Sequence, residues 1–191
     1  MLLEYPKPRL WSKEEYYQAA ELGWFDGQRV ELIEGEVVEM PLQKEPHSAT
    51  IVLVQRALGR IFPDAEYFVR VQLPFDLGLI SQPEPDVAIA RGDPRDLSRD
   101  VANVVLVVEV SGPTLEFDRV KKGSLYASRG VADYWIVNLR ERHVEVLRNP
   151  VPDASKPPGF FYADQHFHTA GGTIAPLALP NARVRVDDLL L

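Results

Sequence analysis

The sequence predicts an α/β (α+β) fold, a mixed central sheet flanked by helices with extra β-strands. Three observations carry this. The middle of the chain reads helix, strand, strand, strand, helix, strand, an order that suits a mixed sheet. Residues 104–108 (Val-Val-Leu-Val-Val) form a run expected of a central strand covered on both faces. Residues 47–62 instead carry Ile51, Val54, Leu58 and Ile61 at helical spacing.

The elements follow in order. Ser12-Lys13-Glu14-Glu15 has the spacing of a capping box, so a helix should run from there to about Leu22, where Gly23 stops it. Two apolar-rich pieces within residues 30–40 flank Glu34-Gly35 and predict a hairpin. The helix over 47–62 ends at Pro63-Asp64. Residues 67–75 alternate as a strand, and residues 86–90 form a short strand after a proline-bearing loop. After the 104–110 strand comes Pro113-Thr114, then a helix over 115–128 closed by Gly130. Residues 133–137 read as a buried strand that residues 144–147 can join. Residues 150–159 hold four prolines and read as an exposed loop. Residues 160–168 and 183–186 look like further strands.

At 191 residues, the chain fits one domain with an elaboration: an N-terminal helix and hairpin (1–44), a core (45–149) and a C-terminal β extension (150–191). Hydrophobic residues make up 46% and charged residues 26%, an ordinary globular balance. The absence of cysteine excludes disulfides, thiolate metal sites and cysteine nucleophiles. A cytoplasmic address fits that absence. The longest apolar run stops at Glu109, far short of a membrane span. Met1–Pro6 lacks the basic start of a signal peptide. A net charge of −7 argues against a general nucleic-acid coat. Residues 114–148 are nevertheless mildly basic, with seven Lys/Arg against five Asp/Glu.

Two carboxylates stand out. Asp86 follows Pro85 at the start of a short apolar strand, and Glu109 ends a run of five apolar residues. A carboxylate at the tip of a buried strand has to be solvated, paired with a cation or metal-bound. Each alone is as well explained by a strand end facing water or an arginine. Together they can hold Mg²⁺, which takes oxygen ligands and keeps several waters. A lysine nearby can then orient or deprotonate an attacking water, as phosphodiester hydrolysis requires.

Pro85-Asp86, followed 23 residues later by Glu109-Val110-Ser111, resembles the PD-(D/E)XK nucleases. Serine stands at 111 where that pattern has lysine. In one branch of the superfamily the lysine comes from the following helix instead. Residues 31–36 (ELIEGE), His47, 85–86 (PD), 108–110 (VEV), 118–127 (DRVKKGSLYA), 130–137 (GVADYWIV) and the ending over 179–189 resemble the Uma family of restriction endonuclease-like proteins. The resemblance implies a mixed four- or five-stranded sheet and a DNA endonuclease dependent on Mg²⁺, with Mn²⁺ as substitute. It implies that Asp86 and Glu109 bind the metal, helped by the carbonyl of Val110. Its lysine lies four residues after the helix aspartate Asp118, which selects Lys122. In a regular helix, residues 118 and 122 share a face, while Lys121, the runner-up, points ~100° away. Restriction-type nucleases commonly act as dimers, so a homodimer or higher assembly is expected.

The chain departs from the family pattern in three places. It reads Ser111-Gly112-Pro113-Thr114 where Ser-Pro-Ser-Thr is usual, the loop to Asp118 is one residue short, and Asn138 replaces a common aspartate. The serine at 111, the short loop and the net acidity motivate a second reading, a catalytically inactive nuclease fold that binds nucleic acid or assembles. A third is a β-rich small-ligand module. His47 is an auxiliary candidate for contacting a phosphate or holding Glu31 or Glu36, although capping its helix explains it more simply. Glu31 is an auxiliary candidate as an extra acid near the metal, although a hairpin glutamate is usually just solvated. His166 and His168 share a strand face without an evident third ligand and read as exposed, and Tyr134 and Trp135 read as core. The chain has no phosphate-binding glycine loop, GxSxG elbow or HExxH helix.

Overall fold

The computed structural model describes residues 7–96, 101–155 and 159–191. The reading of Met1–Pro6 and part of the proline-rich loop, residues 156–158, lie outside the described residues. The chain divides into two compact units. One comprises residues 1–42 with 76–83, and the other residues 43–75 with 84–191.

In the first unit, α1 (Lys13–Glu21) starts from the expected cap. Ser12 Oγ accepts from the Glu15 N–H at 3.1 Å, and Glu15 Oε2 accepts from the Ser12 N–H at 2.9 Å. Strands β1 (Val30–Ile33) and β2 (Glu36–Glu39) form the hairpin. Glu34 and Gly35 at its turn have φ of 51° and 82°, the left-handed pair that a tight two-residue hairpin requires. Gly35 is doubly constrained, because a Cβ there would lie 2.5 Å from Leu10 Cβ. Residues 76–83 belong to this unit through a bridge from Gln82 to Leu32 and the Lys13–Asp76 ion pair at 2.6 Å.

The second unit is built on a six-stranded mixed sheet. Helix α2 (Glu45–Gly59) begins two residues before His47, because Pro46 is tolerated in a first turn whose N–H groups need no helical partner. Strands β3 (Tyr67–Val71), β4 (Val87–Arg91), β5 (Val104–Ser111), β6 (Asp133–Asn138), β7 (His143–Pro152) and β8 (Phe160–Thr169) lie in that spatial order. All neighbours are antiparallel except β5 and β6, which run parallel. A parallel pair needs a crossover, and the helical segment over 115–128 supplies it. That segment is not a plain α-helix. Phe117–Lys122 forms π-turns and continues as α3 (Gly123–Ser128). Short strands β9 (Thr173–Ile174) and β10 (Val184–Arg185) pair separately.

Both faces of β5 are covered, as its composition predicts. On one, Leu106, Val108 and Val110 join Val54 and Leu58 of α2 and Val186 and Leu189 near the C-terminus in the apolar core. On the other, Glu109 and Ser111 meet the 115–128 segment. Tyr134 and Trp135 are fully buried, as expected. The sheet has more strands than the four or five expected because the long β7–β8 hairpin extends it. Pro150 and Pro152, read as loop, lie within β7. Beyond Arg148, β7 has outrun β6, so a proline costs no hydrogen bond on that side. Among the described residues, no helix is long and apolar enough to cross a membrane.

Candidate active site

The register Val87↔Val108 puts Asp86 and Glu109 opposite each other, one step past the paired residues of β4 and β5. Each carboxylate accepts from the other strand's backbone. The Asp86 N–H donates to Glu109 Oε2 at 3.2 Å, and the Val110 N–H donates to Asp86 Oδ2 at 2.9 Å. Both side chains are buried. They are therefore fixed together by main-chain donors, whatever their rotamer preferences in a free chain.

Lys122 is only 2% exposed, and its Nζ stands 3.0 Å from Glu109 Oε1. Tyr126, one turn further on, donates its hydroxyl to the same oxygen at 2.7 Å. Lys122 thus reaches the Glu109 carboxylate. Helix α2 brings His47, whose Nε2 lies 3.2 Å from Asp86 Oδ1. Gln72 donates to that oxygen at 3.2 Å and Gln43 at 3.5 Å. Gln72, the residue after β3, has φ of 48° and donates its N–H to the Pro85 and Asp86 carbonyls, which turns its amide toward Asp86.

His47, Asp86, Glu109, Val110 and Lys122 therefore all lie in the second unit, each within one hydrogen bond of another. Glu31 belongs to the first unit, buried on β1 opposite Val38. Gln43, Gln72, Tyr126, Thr114 and Asp118 went unread as site groups. For Tyr126 the available signal was its place four residues after the lysine, since residues i and i+4 share a helix face, and Asp118 stands four residues before that lysine in the same way.

Burial opposes the charge on Asp86, but the hydrogen bond and charge of His47, the Val110 N–H and the Lys122 ammonium outweigh it and hold the carboxyl below its ordinary value. A depressed carboxyl stabilises the fold above the unfolded-state pKa and loses that contribution as pH falls through the folded one. Urea unfolding of the native chain and of Asp86→Asn should therefore differ most near neutrality, with the gap narrowing below pH 3.8, the ordinary value. A gap that stays constant with pH would mean that these contacts do not favour the charged form.

A second buried cluster stands beside the first. Glu145 accepts from Arg119 through two bonds (2.6 and 2.9 Å), Asn138 Nδ2 (3.0 Å) and Gln165 Nε2 (3.1 Å), and His143 Nε2 lies 3.3 Å away. Burial pushes its carboxyl up, and Arg119 and Asn138 bring the balance below the ordinary range. Asn138, noted as a departure, also accepts from the Arg140 and Glu141 N–H groups and so shapes the β6–β7 turn.

The family model for Uma2, described as "Putative restriction endonuclease", matches residues 14–187. The chain belongs to the Uma2 family. Among solved structures, Uma2 residues superpose on one described as "a putative nuclease belonging to DUF820 from Anabaena variabilis". The TM-score is 0.63 at 16% identity, with 85% of this chain and 89% of that one covered. At that identity the likeness establishes the fold, a mixed sheet flanked by helices. No curated protein matches this Uma2 chain.

Proposed function

We propose that this chain hydrolyses phosphodiester bonds of DNA with a divalent cation, Mg²⁺ or its substitute Mn²⁺. The observation that carries the reading is the contact between the buried Lys122 ammonium and Glu109, whose carboxylate is in turn tied to Asp86. Family membership and fold support the substrate class.

The donor set fits a small hard cation: two carboxylates on adjacent strands, with the Val110 carbonyl next in sequence. Among the described residues no three His, Cys, Asp or Glu side chains gather as metal ligands, so water would complete the set. When bound, the cation supplies Lewis-acid neutralisation of the phosphate and a more acidic water. Asp86 and Glu109 carry the negative charge that holds it. Lys122 orients the attacking water and offsets charge building on the phosphate oxygens. His47 and Gln72 keep the Asp86 carboxylate in one orientation, and Tyr126 does the same for Glu109.

The test is cleavage of supercoiled plasmid with Mg²⁺ or Mn²⁺. Cleavage should stop on chelation and fall by about 10³-fold or more in Asp86→Asn and Glu109→Gln, the scale of removing a principal charge-stabilising group. Equal rates in the native chain and both variants would assign the activity to another site or a contaminant. A homodimer would let two such sites cut both strands. The second reading, nucleic-acid binding without hydrolysis, would be favoured by DNA binding that never leads to metal-dependent cutting.

A further inference from the structure

The serine at position 111 is not an inert replacement for the lysine of the superfamily pattern. Its hydroxyl donates to Asp118 Oδ2 at 2.7 Å, and Thr114 Oγ1 donates to the same oxygen at 2.8 Å. Asp118 is 3% exposed and lies four residues before Lys122, inside the π-turns. Its main chain is held equally firmly. The Asp118 carbonyl accepts from the Gly123 N–H, the five-residue bond that makes the turn wide, and from the Tyr134 hydroxyl at 3.0 Å. Its N–H donates to the Thr114 carbonyl at 3.0 Å. At Gly123 a Cβ would come 3.3 Å from the Asp118 carbonyl oxygen, a tight contact, and 3.7 Å from the Tyr134 ring, an ordinary one.

We propose that Ser111 and Asp118 form a positioning device: the hydroxyl at the old lysine position holds the helix carboxylate, which sets the π-turn that delivers the Lys122 ammonium to Glu109. The logic is geometric. A lysine on the strand would reach the metal-side carboxylates directly. A lysine on a helix reaches them only if the helix is held at one rotation and one height against the strand. Ser111 and Glu109 project from the same face of β5, two residues apart. The segment is therefore pinned at two points of one strand: Asp118 on Ser111, and Lys122 with Tyr126 on Glu109. A plain α-helix shifts the second pin relative to the first, and the π-turn absorbs the mismatch, as such bulges do at functional sites. Burial raises the Asp118 carboxyl above the ordinary value, and the Lys122 ammonium and the Ser111 and Thr114 hydroxyls offset that only in part.

The inference rests on the nuclease reading for its catalytic consequence but not for its structural one, so two readouts separate them. The first is the ¹⁵N ammonium NMR signal of Lys122, assigned by its loss in Lys122→Arg. The native chain should show a slowly exchanging, shifted signal, and Ser111→Ala and Asp118→Asn should both move it toward solvent-exposed lysine. Asp118→Asn keeps the shape of the carboxylate and loses its charge, and Asp118→Glu should fail to restore the signal because its longer arm overshoots Ser111. The second readout is plasmid cleavage. Both variants should lose about tenfold or more in kcat with KM nearly unchanged, the pattern of a group acting only on the reaction step. A Lys122 signal identical to that of the native chain in both Ser111→Ala and Asp118→Asn overturns the proposal. So does a cleavage rate in both variants equal to that of an actively cutting native chain. Signal shifts in both variants, with a native chain that cuts no DNA under any metal condition, would instead sink the nuclease reading and leave the positioning device standing.

Discussion

Lys122→Met should cut plasmid about 10²–10⁴-fold more slowly than the native chain, the range ascribed to one positioned proton-transfer group. Methionine keeps most of the lysine stem, so the packing around the side chain is largely preserved. What disappears is the ammonium 3.0 Å from Glu109 Oε1. Glu109 then retains the Tyr126 hydroxyl and the Asp86 N–H, two neutral donors in place of a charge. Lys122→Arg should rescue little, because a planar guanidinium cannot take the place of a compact ammonium in a closed site. Single-turnover cleavage, with thermal melts showing each variant folded at the assay temperature, measures the effect. A native rate in Lys122→Met would remove the lysine from the chemistry.

The largest expected loss of stability lies at Glu145, outside the proposed chemistry. Glu145→Ala removes the acceptor of two Arg119 bonds, of Asn138 Nδ2 and of Gln165 Nε2, and leaves the guanidinium without its carboxylate partner at hydrogen-bond distance on β7. Breaking a fully buried pair from one side costs about 3–5 kcal/mol, and the 29% exposure of the Arg119 side chain puts this loss at the low end, about 3 kcal/mol. For a chain of this size that lowers the melting temperature by roughly 10 °C. Glu145→Gln keeps the shape and should fall between the two. Guanidinium unfolding at neutral pH provides the check. A loss under about 1 kcal/mol, the ordinary value for an exposed pair, would show the cluster to be open to water.

The elements that local chemistry dictates were legible in the sequence. The capping box at Ser12 and Glu15, the turn at Glu34-Gly35 and the β-branched run of β5 each have a signature within a few residues. The carboxylate pair was legible too, because an acid at the end of an apolar strand stands out against its neighbours. What escaped reading depends on distant partners. Gln72 acquires its meaning from a left-handed backbone at the end of β3, and Tyr126 from a glutamate 17 residues earlier in the chain. Pro150 and Pro152 look like loop residues until β6 is seen to stop at the level of Arg148. The π-turns have no composition of their own. They arise because Asp118 and Lys122 both have fixed partners on β5, which no helical periodicity discloses.

That origin bears on how the chain can change. A π-turn is in effect an α-helix with one residue too many. Deleting a residue such as the exposed Val120 would restore ordinary winding and swing everything on one side of the gap by about 100°. Either Ser111 would keep its aspartate while the ammonium and phenol swung away from Glu109, or the reverse. Length variation should therefore be purged within residues 117–122 and better tolerated at the end of the β7–β8 hairpin beyond Arg148, which holds neither anchor and no partner of Glu145.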